Sequence, residues 1–263
     1  MSTHMGRYAE LYDTFYADKP YAEEAAFVHS CFLKYGTGAI QQVLELACGT
    51  GSHAFALEDL GYKVVATDYS HDMLEYARRK ARQISSSVDF RHEDMRNLEL
   101  RGETFDAAIC LFDSIGFVVT NDGLIRVLKG VWRSLRPGGL FVFEFWHAPA
   151  MLRRFDPVRA NRWSYPDGHL LRVSETSLDC LHQLARVRYT VYELRTDGTY
   201  TSFEETQMNR YFMVQEASGW LTRCGFEPVE WFAGFTGLKE INEETWHVVA
   251  VSRRSPSPVH GGG

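Results

Sequence analysis

The hydrophobic positions of the chain follow one period before residue 41 and another after it. Between residues 7 and 35, aromatic side chains recur at spacings of mostly three to six, which is typical of amphipathic helices. After residue 41, short apolar runs alternate with segments of helical period. The runs predicted to be strands are 42–46, 63–67, 88–91, 105–111 and 140–145.

Helical segments separate these five strands. Gly61 follows the segment 52–60, where a left-handed residue is expected to end a helix, and Ser70 stands at an N-cap position. The segment after Ser70 and residues 123–135 carry apolar residues at helical spacing. Because strands joined through helices pair in parallel and are covered on both faces, the pattern predicts a doubly wound α/β fold.

Residues after the fifth strand carry a different signal. Alternation with a period of two marks 170–178, 183–195 and 200–211, and Asp197 and Gly198 form a hairpin turn signal. These strands are predicted to form an antiparallel β insert after strand five.

The α/β pattern returns near the end of the chain. A helix is predicted at 215–224 and strands at 226–233 and 245–252, which gives a mostly parallel, Rossmann-like sheet of seven strands. The predicted organisation is an N-terminal helical segment (1–36), an α/β domain (37–149 and 212–253), the β insert (150–211) and a disordered tail (254–263).

Composition and charge exclude several classes of protein. The chain has 263 residues, of which 45% are hydrophobic and 24% charged, as in ordinary globular proteins. The chain has a formal net charge of -6, whereas proteins that bind nucleic acids usually have an excess of basic residues. The most apolar region, 107–119, contains Asp113, and residues 1–7 lead into no apolar signal core. We therefore expect a cytoplasmic protein with no nucleic-acid or membrane partner.

Cysteine and histidine spacing gives no metal signal. The five cysteines form no C-x-x-C pair, and the ten histidines show no ligand spacing such as His-x-x-x-His. No metal is predicted, and the cysteines are expected to be reduced.

The best chemical signal lies in the turn after the first strand. Residues 43–51 run from a strand into small residues, which let a ligand approach the backbone closely. The segment 49–54 also satisfies the G-x-G-x-x-G/A dinucleotide fingerprint. Asp68, after the second strand, could accept ribose hydroxyls in either reading. The turn alone leaves the cofactor undecided.

Four features in order narrow the choice: Glu45 before the turn, Asp68 after strand two, Asp94 and Met95 after strand three, and a Pro-Gly-Gly turn before strand five. Over residues 38–147 the chain resembles the class I S-adenosylmethionine-dependent methyltransferases. The resemblance implies that S-adenosylmethionine binds and that S-adenosylhomocysteine is released. It implies that Asp68 meets the ribose and that Asp94 meets the adenine amino group.

The same resemblance implies the remaining cofactor contacts. The family commonly has a glycine at the first loop position, where this chain has Ala47, and a methyl group there is a small intrusion. The full set of implied cofactor-binding residues is Glu45, Ala47, Cys48, Gly49, Gly51, Asp68, Tyr69, Met73, Asp94, Met95, Leu111, Phe112 and Asp113.

A narrower resemblance spans most of the chain. Segments 8–16, 47–53, 70–78, 93–96 and 111–116 are similar to small-molecule N-methyltransferases that act on amino sugars and related amines in antibiotic biosynthesis.

This narrower resemblance implies an amine acceptor and three catalytic positions. Tyr8 and Tyr16 are expected to close over the site and touch the reacting groups. Phe117 stands where those enzymes often carry a polar ring, which suggests an apolar acceptor wall. The β insert would be a lid, a dimer surface or both, so a homo-oligomer is one expectation.

Four alternatives stay open at this level. An NAD(P)-dependent oxidoreductase could use the same glycine loop, although no Tyr-x-x-x-Lys pair follows strand four. An O-methyltransferase acting on a small metabolite would share the cofactor. A nucleic-acid methyltransferase would be expected to carry an Asn/Asp-Pro-Pro-aromatic run at 112–117, which has no proline. A binding module without catalysis is the fourth.

Overall fold

A computed structural model describes residues 6–100 and 102–256. Two helices come first, as the aromatic spacing predicted. The elements as far as the fifth strand are α1 (Gly6–Phe15), α2 (Tyr21–Tyr35), β1 (Gln42–Leu46), α3 (Ser52–Asp59), β2 (Lys63–Asp68), α4 (His71–Ile84), β3 (Asp89–His92), β4 (Phe105–Cys110), α5 (Asn121–Ser134) and β5 (Leu135–Trp146).

The remaining elements form the insert and complete the main sheet. They are α6 (Ala148–Arg154), β6 (Val158–Tyr165), β7 (Gly168–Asp179), β8 (Leu184–Arg195), β9 (Tyr200–Arg210), α7 (Val214–Arg223), β10 (Phe226–Ala233) and β11 (His247–Arg254).

The main sheet has seven strands in the order β10-β11-β5-β4-β1-β2-β3. Strands β1 to β5 pair in parallel, whereas β11 runs antiparallel to both β5 and β10. Two apolar clusters cover its opposite faces, one around Val43 and Ile109, the other around Leu44 and Phe141. The predicted fold class, a doubly wound and mostly parallel sheet, is confirmed.

The insert is a separate antiparallel sheet in the order β6-β7-β8-β9. Its first strand, β6, was missed because most of its side chains are exposed and therefore lack the alternation that marks a half-buried strand. Helix α6, only seven residues long, was missed as well. A third apolar cluster, which includes Tyr8, Phe15 and Leu170, joins α1 to this sheet.

The local end signals behave as the sequence indicated. The Ser70 side chain accepts a hydrogen bond from the Met73 N–H at 3.3 Å, and Gly61 has a φ of +93°. Strand β5 begins at Leu135, earlier than predicted, because Leu135 already pairs with Phe105 of β4 before the Pro-Gly-Gly segment, where the register shifts. Of the predicted disordered tail, Arg254 belongs to β11 and the Ser255 N–H donates to the Gly225 carbonyl at 2.9 Å, whereas residues 257–263 lie outside the described residues.

No helix in the described ranges combines the length and apolarity needed to cross a membrane.

Candidate active site

A cavity of about 720 Å³ opens between the main sheet and the insert. Its floor is formed by the turns that follow β1 to β5, where the carboxyl ends of parallel strands meet. The insert supplies the opposite wall through Ser174 and Thr176 of β7, Val187 and Tyr189 of β8, and Gln207 and Asn209 of β9. Residues far apart in sequence thus enclose a single space.

The loop after β1 requires left-handed backbone at three positions. Ala47, Gly49 and Gly51 have φ of +52°, +57° and +84°. A Cβ at Gly51 would lie 2.7 Å from Cζ of Phe90, so any other residue there would force the Phe90 ring to shift. Ala47 occupies the position where the resembling family has glycine, and its conformation costs roughly 1–2 kcal/mol. The bent loop leaves Ala47 and Gly49 lining the cavity.

Asp68 braces this loop from the end of β2. Its Oδ2 accepts the Gly49 N–H at 2.8 Å, and its Oδ1 accepts the Ser70 N–H at 2.7 Å. Burial raises the pKa of Asp68, against the opposing effect of these backbone hydrogen bonds. Each carboxylate oxygen keeps a further lone pair, which is the acceptor capacity that two ribose hydroxyls need.

Glu45 presents a buried carboxylate beside the same loop, with Oε1 3.9 Å from Nδ1 of His53. The residue is 2% exposed, and its Oε2 has no hydrogen-bond partner among the described residues. Burial, together with the charge of Asp68, raises the pKa of Glu45 well above its usual range. Glu45 and Cys48 line a small neighbouring cavity of about 30 Å³. A buried oxygen without a donor fits the cationic amino group of a methionine moiety.

The part of the cavity where the resemblance places adenine is lined by Tyr69, Met73, Asp94 and Met95. The backbone N–H of Arg96 donates to Oδ1 of Asp94 at 2.9 Å, and Nη2 of the same arginine donates to Oδ2 at 2.6 Å. Despite partial burial, these hydrogen bonds lower the pKa of Asp94 and keep it ionised. Tyr69, half exposed, and the two methionines offer apolar surface against which a flat ring can pack.

The turn after β4 has a strained backbone, and a hydrogen bond to Glu144 of β5 stabilises it. Phe112 and Asp113 both have a φ of +55°, and the Phe112 N–H donates to Glu144 Oε2 at 2.7 Å. Leu111 is buried, whereas Phe112 and Asp113 reach the main cavity. A positive φ at a bulky residue is uncommon, so this turn aims two side chains into the site at an energetic cost.

The structure places two of the three catalytic candidates at the cavity and the third behind it. Tyr16 and Phe117 line the cavity, but Tyr8 does not; it is 1% exposed and packs against Phe15 and Tyr189. Both tyrosine hydroxyls accept a hydrogen bond from Nη1 of the buried Arg172, at 3.2 and 3.3 Å. Tyr8 is thus placed behind Tyr16, where it can position that residue but not touch an acceptor.

Several cavity residues were missed. Gln207 and Asn209 could have been found, since polar residues on the buried face of a strand are an informative signal. His247, at the start of β11, also lines the cavity, and Glu144, inside the apolar run of β5, holds the turn after β4; neither residue gave a local signal. These two and Asp113 place three ligand-type atoms within 4.8 Å of one another, a group that the spacing did not predict.

The fold and the site together define the class. A doubly wound sheet ending in an antiparallel strand pair carries a left-handed loop, a buried acid that accepts a hydrogen bond from that loop and a second buried acid with one oxygen unpartnered among the described residues. Residues 43–139 match the family model described as a methyltransferase domain.

The chain belongs to the S-adenosylmethionine-dependent methyltransferase family. It is 30% identical over 253 residues to the dTDP-3-amino-3,6-dideoxy-alpha-D-glucopyranose N,N-dimethyltransferase of Streptomyces fradiae, covering 92% of this chain and 94% of the relative. The dTDP-4-amino-2,3,4,6-tetradeoxy-D-glucose N,N-dimethyltransferase of Saccharopolyspora spinosa is 29% identical over 206 residues, covering 77% and 80%. The methyltransferase reading is confirmed over the nicotinamide alternative, and the cofactor is S-adenosylmethionine.

Solved structures agree on the fold. The S-adenosylmethionine-dependent methyltransferase of Clostridium acetobutylicum superimposes with a TM-score of 0.81 at 20% identity, over 95% of this chain and 98% of that one. The amino pentose methyltransferase of Micromonospora echinaspora, solved with S-adenosylmethionine bound, gives 0.76 at 23% identity, over 96% and 100%.

Proposed function

We propose that the chain transfers a methyl group to the amine nitrogen of a small molecule, an amino sugar or related antibiotic-type natural product. The observation that carries this proposal is the acidic cavity. Five carboxylates line it: Asp68, Glu93, Asp94, Asp113 and Asp156. Its two described arginines, Arg96 and Arg159, are paired with Asp94 and Asp156 at 2.6 and 3.7 Å. A net negative site favours cationic ligands, such as a sulfonium cofactor and an ammonium acceptor.

The insert wall supports a polyhydroxylated acceptor. Ser174, Thr176 and Gln207 supply donors and acceptors to the cavity. Asn209 Oδ1 is buried and has no partner within the described part of the chain. This oxygen lies directly against Gly116, where an added Cβ would fall 1.7 Å from it, so Asn209 shapes this wall of the cavity. Both relatives named above act on amino sugars, as their names state.

Each residue then has a role in positioning the reactants. S-adenosylmethionine, when bound, supplies an electrophilic methyl group on a sulfonium. Asp68 would hold the ribose, Asp94 the adenine amino group and Glu45 the amino group of the methionine moiety. Tyr16 and Phe112, whose rings meet edge to face at 4.9 Å, would confine the acceptor and exclude water. For such a displacement, the main contribution of the protein is to hold the acceptor nitrogen close to the methyl group and in line with it.

Mass spectrometry tests the proposed acceptor class. The purified protein is incubated with S-adenosylmethionine and paired acceptors, each amino sugar beside its hydroxyl counterpart. We expect a mass gain of one or two methyl groups on the amino member only, and a much smaller gain with Asp68→Ala at a cofactor concentration that half-saturates the native protein. Methylation of the hydroxyl member alone would establish the O-methyltransferase alternative instead.

We also propose a cytoplasmic, homo-oligomeric protein that associates through the insert. Strand β6 supports this, since it lies at the edge of its sheet and is largely exposed. Light scattering of the native chain and of Val158→Glu tests the interface, because a charge at this exposed apolar position would weaken an edge contact. A monomeric native chain would contradict it.

A further inference from the structure

A buried arginine joins helix α1 to the β insert. Arg172 lies on β7 and is 6% exposed. Its hydrogen bonds within the described ranges go to the hydroxyls of Tyr8 and Tyr16, and no carboxylate there pairs with it. Its guanidinium carbon lies 4.9–5.3 Å from the ring centroids of Phe15, Tyr16, Trp163 and Tyr189. Aromatic rings and two phenol oxygens therefore stabilise this charge instead of an acid.

The contact with Arg172 limits what the Tyr16 hydroxyl can do. Arginine only donates hydrogen bonds, so the Tyr16 oxygen presents a lone pair to Nη1 at 3.3 Å, and its own proton must point elsewhere. Within the described part of the chain, its other neighbour is the Tyr8 oxygen at 3.4 Å, whereas an ordinary O–H···O hydrogen bond measures about 2.5–3.0 Å. A ligand oxygen at the ordinary distance would therefore take this proton in preference to Tyr8.

Tyr16 lies in the wall of the cavity, and Arg172 lies behind that wall. Tyr16, Phe112 and Tyr189 line the cavity, and the rings of the first two meet edge to face. A hydroxyl that donates here needs a partner with a lone pair. The reacting nitrogen is unsuitable, because its lone pair must be free to attack the methyl group in line. A hydroxyl oxygen on the carbon next to the amine is suitable, since it has lone pairs and takes no part in the transfer.

We propose that Arg172 holds Tyr16 as a hydrogen-bond donor to a hydroxyl oxygen next to the reacting amine, a proposal that rests on the proposed function. Arg172 is then a positioning residue, and Tyr16 determines specificity for amino sugars that carry such a hydroxyl. The contact fixes the orientation of the sugar ring relative to the methyl group. A sugar without this hydroxyl leaves the Tyr16 proton without a partner, which lowers its reactivity.

Two other roles for these residues lead to different results. If Tyr16 acted on the amine itself, its loss would affect every amino sugar equally, with or without a neighbouring hydroxyl. If Arg172 only joined α1 to the insert, its loss would add to the loss of the Tyr16 hydroxyl, because the two effects would be independent. Deoxy sugars and a double variant therefore separate the three roles.

The test combines matched sugars with matched variants. The parent sugar is dTDP-3-amino-3,6-dideoxy-α-D-glucopyranose, the compound in the name of the Streptomyces fradiae relative. Its 2-deoxy and 4-deoxy forms each lack one of the two hydroxyls that flank the amine. The variants are Tyr16→Phe, Arg172→Met, Arg172→Lys and the combination of Tyr16→Phe with Arg172→Met. Arg188→Met is the control, because Arg188 is exposed on the neighbouring strand β8 and pairs with Glu175 at 2.7 Å.

We expect removal of one flanking hydroxyl to lower kcat/KM of the native chain by about 10-fold or more, and to have no such effect in Tyr16→Phe. Arg172→Met should lose the same discrimination, and the double variant should be no slower than the slower single variant. Arg172→Lys, whose side chain also only donates, should keep part of the discrimination. Arg188→Met should match the native protein, and affinity for S-adenosylhomocysteine should be unchanged throughout.

Equal losses with all three sugars in Tyr16→Phe would overturn the proposal, as would independent, multiplied losses in the double variant. The comparison of native chain and Tyr16→Phe uses no variant of Arg172, so it decides the matter even if Arg172→Met fails to fold. If another amino sugar reacts faster, its own deoxy forms are used instead. If no amino sugar is methylated, the proposed function itself fails, whereas methylation that ignores the neighbouring hydroxyls removes this proposal alone.

Discussion

The backbone N–H of Gly49 donates a 2.8 Å hydrogen bond to Oδ2 of Asp68. This contact joins the loop after β1 to the acid that ends β2, so the two strongest sequence signals form one unit. Gly49 is free of steric crowding, since a Cβ there would meet nothing closer than 3.9 Å. Its positive φ, rather than a lack of space, is what requires glycine at this position.

Glu45→Gln should stabilise the free protein and weaken cofactor binding. The substitution replaces a carboxylate whose pKa is raised by burial with a neutral group of the same shape, so desolvation of the charge is no longer a cost. Urea unfolding and calorimetry with S-adenosylmethionine measure the two effects. If Glu45 only braces the loop, both the free energy of unfolding and the affinity will fall.

Gly51→Ala should destabilise the fold more than Gly61→Ala. Both glycines have left-handed φ, of +84° and +93°, so both variants carry backbone strain of roughly 1–2 kcal/mol. Only Gly51 would place its Cβ against Phe90, which adds about 1–3 kcal/mol of overpacking. Urea denaturation compares the two variants, and equal losses would show that Phe90 moves aside freely.

Tyr16→Phe and Tyr8→Phe should have different effects. Tyr16 lines the cavity, so loss of its hydroxyl should lower kcat while the affinity for S-adenosylhomocysteine stays the same. Tyr8→Phe removes one acceptor from the buried Arg172, which should cost about 1 kcal/mol of stability with little change in kcat. Steady-state kinetics and thermal unfolding separate the two roles. A larger loss of kcat in Tyr8→Phe would support the original prediction that Tyr8 contacts the reacting groups.

His247 also links stability to pH. Its pKa rises from an ordinary 6.5 to about 10, because the attraction of two acids outweighs burial. The folded state therefore binds this proton more tightly than the unfolded chain, so the stabilisation is complete below pH 6.5 and is lost as the pH rises through about 10. Native stability should fall more steeply over that range than the stability of His247→Asn. Parallel curves in urea unfolding would contradict the assignment.

Local periodicity was enough to predict the main sheet. Strand β1 matched its predicted bounds because four of its five residues are buried and the glycine-containing turn follows it directly. Strand β6 could not be predicted in this way, since most of its side chains are exposed and its pairing with β7 is through the backbone.

The residues of the site could likewise be predicted where a local motif marks them, but not where contacts distant in sequence place them. Residues next to a strand end, such as Asp68 and Asp94, can be predicted from motif order, because parallel strands bring their carboxyl ends together. Tyr8 shows the limit, since the sequence places it near the site but does not tell which face of α1 meets the cavity. His247 and Asp113 are separated by more than a hundred residues and meet only through the antiparallel register of β11.

The central claim is that this cavity holds the adenosyl cofactor with its ribose on Asp68. Calorimetric titration with S-adenosylhomocysteine tests it in the native protein, in Asp68→Ala and in Asp59→Ala, an exposed acid at the end of α3. We expect one site per native chain and per Asp59→Ala chain, with affinity reduced about 100-fold in Asp68→Ala, since hydrogen bonds to a charged group contribute roughly 1.5–3 kcal/mol each. Equal affinity in all three proteins would contradict this placement of the ribose.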